Sequence, residues 1–335
     1  MKIASITLSS NRAHIIGDAL KSVVSWVDAC IIINLGITDE TLDTAKAICG
    51  EKLIVSKFTA NATTGDMRNF GLDEATRLGF DYAMTLDTDE RILLNGEKLE
   101  DILHPSIDVI QFRSHDGTYP KPRIFTLPTK LRFVGDVHEG LSGNMRVYEA
   151  KNARFYELPK TPEQNDFKGR LMEKIVLEEI DANPTDGRKW YNLGDARLLY
   201  GNKTGAKEAF LESIKYFKNP WTCAILSAIY QEEEDYDGAI NILLAGLSWD
   251  AAWSELAWMI SAIKFNIGDY GQAICWSRMA LGTGEIEGCN ILRPLGFRHP
   301  KGRTYGPYEV LALSYEATGD EKMAALYKEK LASFQ

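Results

Sequence analysis

With 335 residues the chain exceeds what one hydrophobic core ordinarily holds, so two domains are expected. Apolar residues at 45% and charged residues at 25% exclude a wholly disordered chain, and no stretch approaches the ~20 apolar residues of a membrane span. A net charge of −9 repels a phosphate backbone and argues against nucleic acid as a main partner.

Five cysteines (Cys30, Cys49, Cys223, Cys275, Cys289) lack any short Cys–Cys spacing. They read as reduced core thiols of a cytoplasmic protein rather than as a zinc site. The opening stretch Met1 to Leu8 lacks the long apolar core of a signal peptide and reads as a buried first strand.

Up to about residue 150, short β-rich runs alternate with helical ones. The pattern predicts a strand over Ile3 to Leu8, a helix over His14 to Val27 and a strand over Ala29 to Asn34. A helix over Thr41 to Cys49, a strand over Leu53 to Ser56, a helix over Asp66 to Leu78 and a strand over Phe80 to Leu86 follow. Such alternation predicts an α/β, Rossmann-like and mostly parallel sheet with helices on both faces. Ligands of such sheets bind at the carboxyl ends of the strands.

From about residue 163 the β signal disappears and helical periodicity repeats. Ala206, Ala239 and Ala273 stand 33 and 34 residues apart, at the spacing of a 34-residue helix-turn-helix repeat. Gly201-Asn202-Lys203, Glu234-Asp235-Tyr236 and Gly268-Asp269-Tyr270 fall in the tight turn of each hairpin. A last unit with Tyr308, Leu311, Gly319-Asp320 and Ala324 lies 51 residues beyond Ala273, after an insertion from Gly282 to Gly306. Arg293, Phe297, Arg298, His299, Lys301, Arg303 and Tyr305 make that insertion a basic patch, read first as a solvated loop. Stacked hairpins present an extended surface suited to a peptide or protein, and the tryptophans among them read mostly as core.

The segment Leu86-Asp87-Thr88-Asp89-Glu90 closes the fourth predicted strand. On a strand Asp87 and Asp89 share a face, and two carboxylates so close repel unless a cation lies between them. Mg²⁺ or Mn²⁺ suits a small set of oxygen ligands and leaves positions open for substrate phosphates.

Several segments, in order, resemble the family 2 glycosyltransferases of GT-A fold. They are Asn11 with its following helix, Asn34 to Thr41, Asp66-Met67-Arg68-Asn69-Phe70-Gly71-Leu72, and the Asp87-Thr88-Asp89 motif. Arg123-Ile124-Phe125 and Val137-His138-Glu139 resemble a branch that often carries tetratricopeptide repeats, as in bacteriocin-peptide glycosyltransferases. The resemblance implies a catalytic domain over 1–160 and a tetratricopeptide-like repeat domain over 161–335. It further implies a metal-dependent, inverting transfer of a sugar from a nucleotide-diphosphate donor, UDP-sugar favoured, to a glycan, peptide or protein acceptor.

In that family reading Asp87, Asp89 and His138 hold Mn²⁺ or Mg²⁺, and Glu139 or Asp136 is the general base. Thr7, Leu8, Ser9, Asn11, Asn34, Arg68, Asp87 and Thr88 meet the nucleotide. Two departures stand out: Asn34 replaces an acidic nucleobase contact, and Arg12 replaces an acidic residue after Asn11. Homodimerisation through the repeats is expected by the same analogy. The alternative is a catalytically inactive transferase-like scaffold that binds protein partners through its helical repeats. The absence of Gly-x-x-x-x-Gly-Lys-Ser/Thr disfavours a P-loop NTPase, and the glycine-free first turn Ser9-Ser10-Asn11-Arg12 argues against a redox Rossmann site.

Overall fold

The computed structural model describes residues 1–60, 62–135, 139–284 and 299–334. The chain divides into two compact units, Met1–Lys160 and Thr161–Gln335.

In the first unit β1 (Ile3–Ser9), α1 (Ala13–Lys21), β2 (Ala29–Asn34), α2 (Thr41–Cys49), β3 (Leu53–Lys57), α3 (Thr64–Arg77) and β4 (Tyr82–Thr85) alternate. β1, β2, β3 and β4 pair in parallel, because each connection carries a helix long enough to return the chain to the same end of the sheet. The near-continuous apolar run of β2 is explained by cover on both faces. Cys30 and Ile32 pack with Ile16 and Leu20 of α1 and Ala45 of α2, while Ile31 and Ile33 pack with Leu72 and Ala75 of α3. Thr63 and Asp66 form a reciprocal capping box that starts α3.

The second half of this unit departs from the sequence expectation. It contains β5 (Glu90–Leu93), the short helix α4 (Leu99–Ile102), β6 (Val109–Ser114), β7 (Pro120–Thr126), β8 (Arg132–Val134), β9 (Gly140–Ser142) and the long β10 (Val147–Glu157). The eight-stranded sheet runs in the order β3-β2-β1-β4-β7-β6-β10-β5, with β8 and β9 as a separate pair. Among the described residues β7 pairs antiparallel with both β4 and β6, and β10 pairs antiparallel with β5.

The expected mostly parallel, GT-A-like sheet is therefore corrected to a mixed one. The physical reason is connection length: 115–119, tied by Asp116 to Ser114 and Thr118, is a hairpin turn too short for a crossover.

The second unit is all-helical. α5 (Pro162–Ala182) starts in a Thr161–Gln164 capping box. There follow α6 (Gly187–Leu199), α7 (Lys203–Tyr216), α8 (Pro220–Glu232), α9 (Tyr236–Trp249), α10 (Ser254–Asn266), α11 (Tyr270–Thr283), the short α12 (Pro300–Arg303), α13 (Gly306–Ala317) and α14 (Glu321–Ala332). Among the described residues four hairpins form: α6/α7, α8/α9, α10/α11 and α13/α14.

The same turn closes each of them. Gly201, Glu234, Gly268 and Gly319 take left-handed backbone conformations, with φ of 82°, 60°, 81° and 79°. Each donates its N–H three residues back, and the next residue (Asn202, Asp235, Asp269 or Asp320) donates five residues back at 2.9 Å. That pair of bonds is a Schellman closure of the first helix. The Asn or Asp then caps the second helix by accepting from the backbone N–H of Gly205, Gly238, Gln272 or Met323.

Close packing follows, as at Gly194, where an added Cβ would lie 2.5 Å from the Phe210 ring. Of the basic insertion, Arg293, Phe297 and Arg298 lie outside the described residues. Lys301 pairs with Glu309 at 2.5 Å, and His299 lies 5.0 Å, ring to ring, from Trp258.

Glu234 holds the left-handed position where the other three turns place glycine. Glu234→Gly is expected to stabilise the second unit by roughly 0.5–1 kcal/mol, read as a higher midpoint in equilibrium urea unfolding. An unchanged or lower midpoint would mean that the turn carries no backbone strain at this position.

Candidate functional site

The segment that drew attention in the sequence forms a turn, not a strand end with two parallel carboxylates. β4 stops at Thr85, and Asp87 to Glu90 reverse the chain into β5, closed by Glu90 N–H donating to the Asp87 carbonyl at 3.0 Å.

Each acidic side chain meets a cation of the protein. Asp87 Oδ1 lies 2.9 Å from Arg68 Nη1, and Asp89 Oδ2 lies 3.1 Å from Lys160 Nζ. Arg68 also reaches Glu139 at 3.4 Å and lies over the Phe133 ring. Burial pushes the Asp87 carboxyl up, but Arg68 above all, with Arg123 and Lys121, holds it well below the usual carboxylate range.

Glu90, fully buried, turns inward and accepts from Lys121 Nζ at 2.8 Å and from the buried Arg123 guanidinium. Arg123 also donates to the Thr85 carbonyl at 3.3 Å and stacks 4.6 Å from the Phe155 ring centre. Lys121 further contacts Glu157, which accepts from the Tyr119 hydroxyl. A cation facing a carboxylate at this depth is compensated only as a pair, and removing either member leaves a buried charge at a cost of about 3–5 kcal/mol.

The other predicted residues are engaged locally. Thr7 is buried in β1, and its hydroxyl has no hydrogen-bond partner among the described residues. Leu8 packs against the core that also receives Phe133, and Ser9 donates to the Ser10 carbonyl at 2.9 Å. Asn11 exchanges bonds with Thr38 at 2.8 and 2.9 Å. The Asn34 side-chain oxygen accepts from the N–H groups of Gly36 and Ile37, which fixes the turn after β2. Thr88 is buried within the Asp87–Glu90 turn.

Asp136 and His138 lie outside the described residues. Among the described residues no group of three His, Cys, Asp or Glu side chains is placed to hold a metal ion.

The structure thus brings Arg68, Asp87 and Glu139 together and leaves Asn11 and Asn34 as loop ties. Sequence reasoning missed Lys121, Glu157 and Lys160. The signal available was alternation: Lys121 and Arg123, two apart on a strand, share the face that Glu90 enters.

No family model matches the chain, and no curated protein matches it. Solved structures do. The crystal structure of MamA is 14% identical with a TM-score of 0.41, covering 52% of this chain and 95% of MamA. Yeast Tom70 is 16% identical with a TM-score of 0.39, covering 52% of this chain and 34% of Tom70. A chain of the APC/C hetero-tetramer Cut9–Hcn1 is 13% identical with a TM-score of 0.37, over 49% of this chain and 30% of that one.

These are tetratricopeptide-repeat proteins and not glycosyltransferases. The family 2 glycosyltransferase resemblance, the enzyme assignment and the UDP, manganese and Asp-x-Asp reading that went with it are corrected: no family model matches the chain, and both carboxylates of the motif are ion-paired within the protein. The local reason is visible in the turn: Asp87 and Asp89 resemble a metal motif in sequence, whereas their charges are matched by Arg68 and Lys160. Among the described residues no helix is long and apolar enough to cross a membrane.

Because the Asp87 carboxyl is held below its ordinary value of about 3.9, its ionised form stabilises the folded state at neutral pH. That contribution is complete above the unfolded value and is lost as pH falls through the lower folded one. Asp87→Asn is therefore expected to lower stability at pH 7 and to flatten the loss of stability below about pH 4. Parallel stability–pH curves for the two proteins would contradict the Arg68–Asp87 assignment.

Proposed function

We propose that this chain is a non-catalytic scaffold whose helical-hairpin unit binds a protein partner. The observation that carries this reading is the fourfold repetition of one turn, with a left-handed residue and then an Asn or Asp cap, in helices of near-equal length. Repetition of this kind stacks hairpins into an extended surface, and extended surfaces of stacked hairpins recognise peptides and folded partners. The helices also leave large apolar side chains in solvent: Leu244 on α9, Met279 on α11, Leu313 on α13 and Leu326 on α14, each between 39% and 52% exposed.

The net charge of −9 disfavours nucleic acid as the partner. A reducing, cytoplasmic setting belongs to the same reading, supported by the buried free thiols of Cys30, Cys49 and Cys223.

The test is quantitative capture from the source cell with tagged full-length protein and with the double variant Met279→Glu, Leu313→Glu. A discrete partner held by the wild type, depleted at least tenfold by the double variant and unaffected by Asp89→Ala, is the expected result. Equal recovery by wild type and double variant would place binding elsewhere, and recovery of no partner would contradict the scaffold reading.

A further inference from the structure

The helix that opens the second unit, α5, lies ahead of the four repeated hairpins and has two unlike faces. Its inner face is built for contact with α6. Gly169, Met172, Val176 and Ile180 are buried, and a Cβ added at Gly169 would lie 2.6 Å from the Ala196 carbonyl oxygen. Glu173 on the same side accepts from Arg197 at 2.8 Å and from the Tyr200 hydroxyl at 2.6 Å.

The outer face is apolar at its centre. At about 3.6 residues per turn, Phe167 and Leu171 lie one turn apart on the side of the helix opposite Gly169. Phe167 is 71% exposed, the highest value for a large hydrophobic side chain among the described residues, and Leu171 is 49% exposed. The end of a stack of hairpins ordinarily carries a polar outer face, because no further hairpin covers it.

Charge identifies what covers this one. Glu163 stands four residues before Phe167 and Lys174 three residues after Leu171, both exposed and both on the outer face. Along the helix the face therefore runs acidic, apolar, apolar, basic. The midpoint between Glu163 and Lys174 falls within one residue of the midpoint between Phe167 and Leu171. A second copy of the helix, turned end for end about that point, sets Phe167 against the partner's Leu171 and Glu163 beside the partner's Lys174. A parallel pairing would instead oppose like charges at both ends. The pattern is self-complementary only in the antiparallel, two-fold arrangement.

We propose that the chain forms a two-fold dimer through antiparallel pairing of α5 with α5 of a second copy. Phe167 and Leu171 form its centre, and a Glu163–Lys174 pair closes each rim. Apolar burial supplies the attraction, whereas the rim pairs, individually weak in water, fix the direction of pairing. The contact lies outside the hairpin side chains to which partner binding is assigned. It therefore leaves both copies of that surface available and makes the assembly bivalent.

Sedimentation velocity of the full-length protein over a concentration series tests the pairing, with far-UV circular dichroism to show that each variant is folded. A monomer–dimer equilibrium is the expected result for the wild type, with the dissociation constant raised roughly tenfold or more by Phe167→Glu. Glu163→Lys and Lys174→Glu, each alone, are expected to weaken the dimer, because each sets like charges together at both rims. The double variant Glu163→Lys, Lys174→Glu restores opposite charges and is expected to regain dimerisation, a rescue that mere damage to α5 would not show. A wild type that stays monomeric across the series would overturn the proposal. So would a dimer indifferent to Phe167→Glu, or one that the double variant does not rescue.

Discussion

The second unit depends on one backbone constraint: the chain must reverse inside each hairpin without leaving helix-end groups unpaired. A left-handed residue followed by Asn or Asp meets that constraint. It closes the first helix through two backward N–H bonds and caps the second through one side-chain oxygen. Because both helix ends are satisfied within three residues, the helices lie side by side, and small residues such as Gly194 face large ones such as Phe210. The interval from Asp269 to Asp320 shows that the turn survives an insertion between hairpins, since each turn is locally complete.

The first unit is held by a different device. Arg123, 2% exposed, and the fully buried Glu90 place opposite charges inside the sheet, with Lys121 and Glu157 extending the network toward Tyr119. Such a group gives little net stability compared with well-packed apolar residues, but it punishes any register that separates its members. It joins β5, β7 and β10, the strands whose pairing is antiparallel or mixed and whose hydrophobic pattern is weakest. The acidic turn from Asp87 to Glu90 is the edge of this network, where Arg68 and Lys160 neutralise what Glu90 does not bury.

The legibility of the sequence tracks the length and regularity of each element. β2 and α2 begin and end where apolar periodicity places them, and the four hairpin turns announce themselves through Gly-Asn, Glu-Asp and Gly-Asp pairs. The strands after Glu90 were not legible: β8 and β9 are three residues long, and β10 carries Glu149, Lys151, Asn152 and Arg154 among its apolar positions. Without those strands the sheet reads as parallel, and an Asp-x-Asp at a parallel strand end reads as a metal motif. The partners that change that reading are distant in sequence. Arg68 is 19 residues before Asp87 and Lys160 is 71 residues after Asp89, and no local pattern announces either contact.

The ion pairs of Asp87 with Arg68 and of Asp89 with Lys160 make the acidic turn a structural charge network, and under the proposed function it binds no metal-nucleotide complex. Calorimetric titration of UDP, then GDP, in the presence of Mn²⁺ into the full-length protein tests it most directly. The account predicts no saturable heat for either nucleotide, with Asp89→Ala indistinguishable from wild type. Saturable binding of one nucleotide that requires Mn²⁺ and disappears in Asp89→Ala would contradict it.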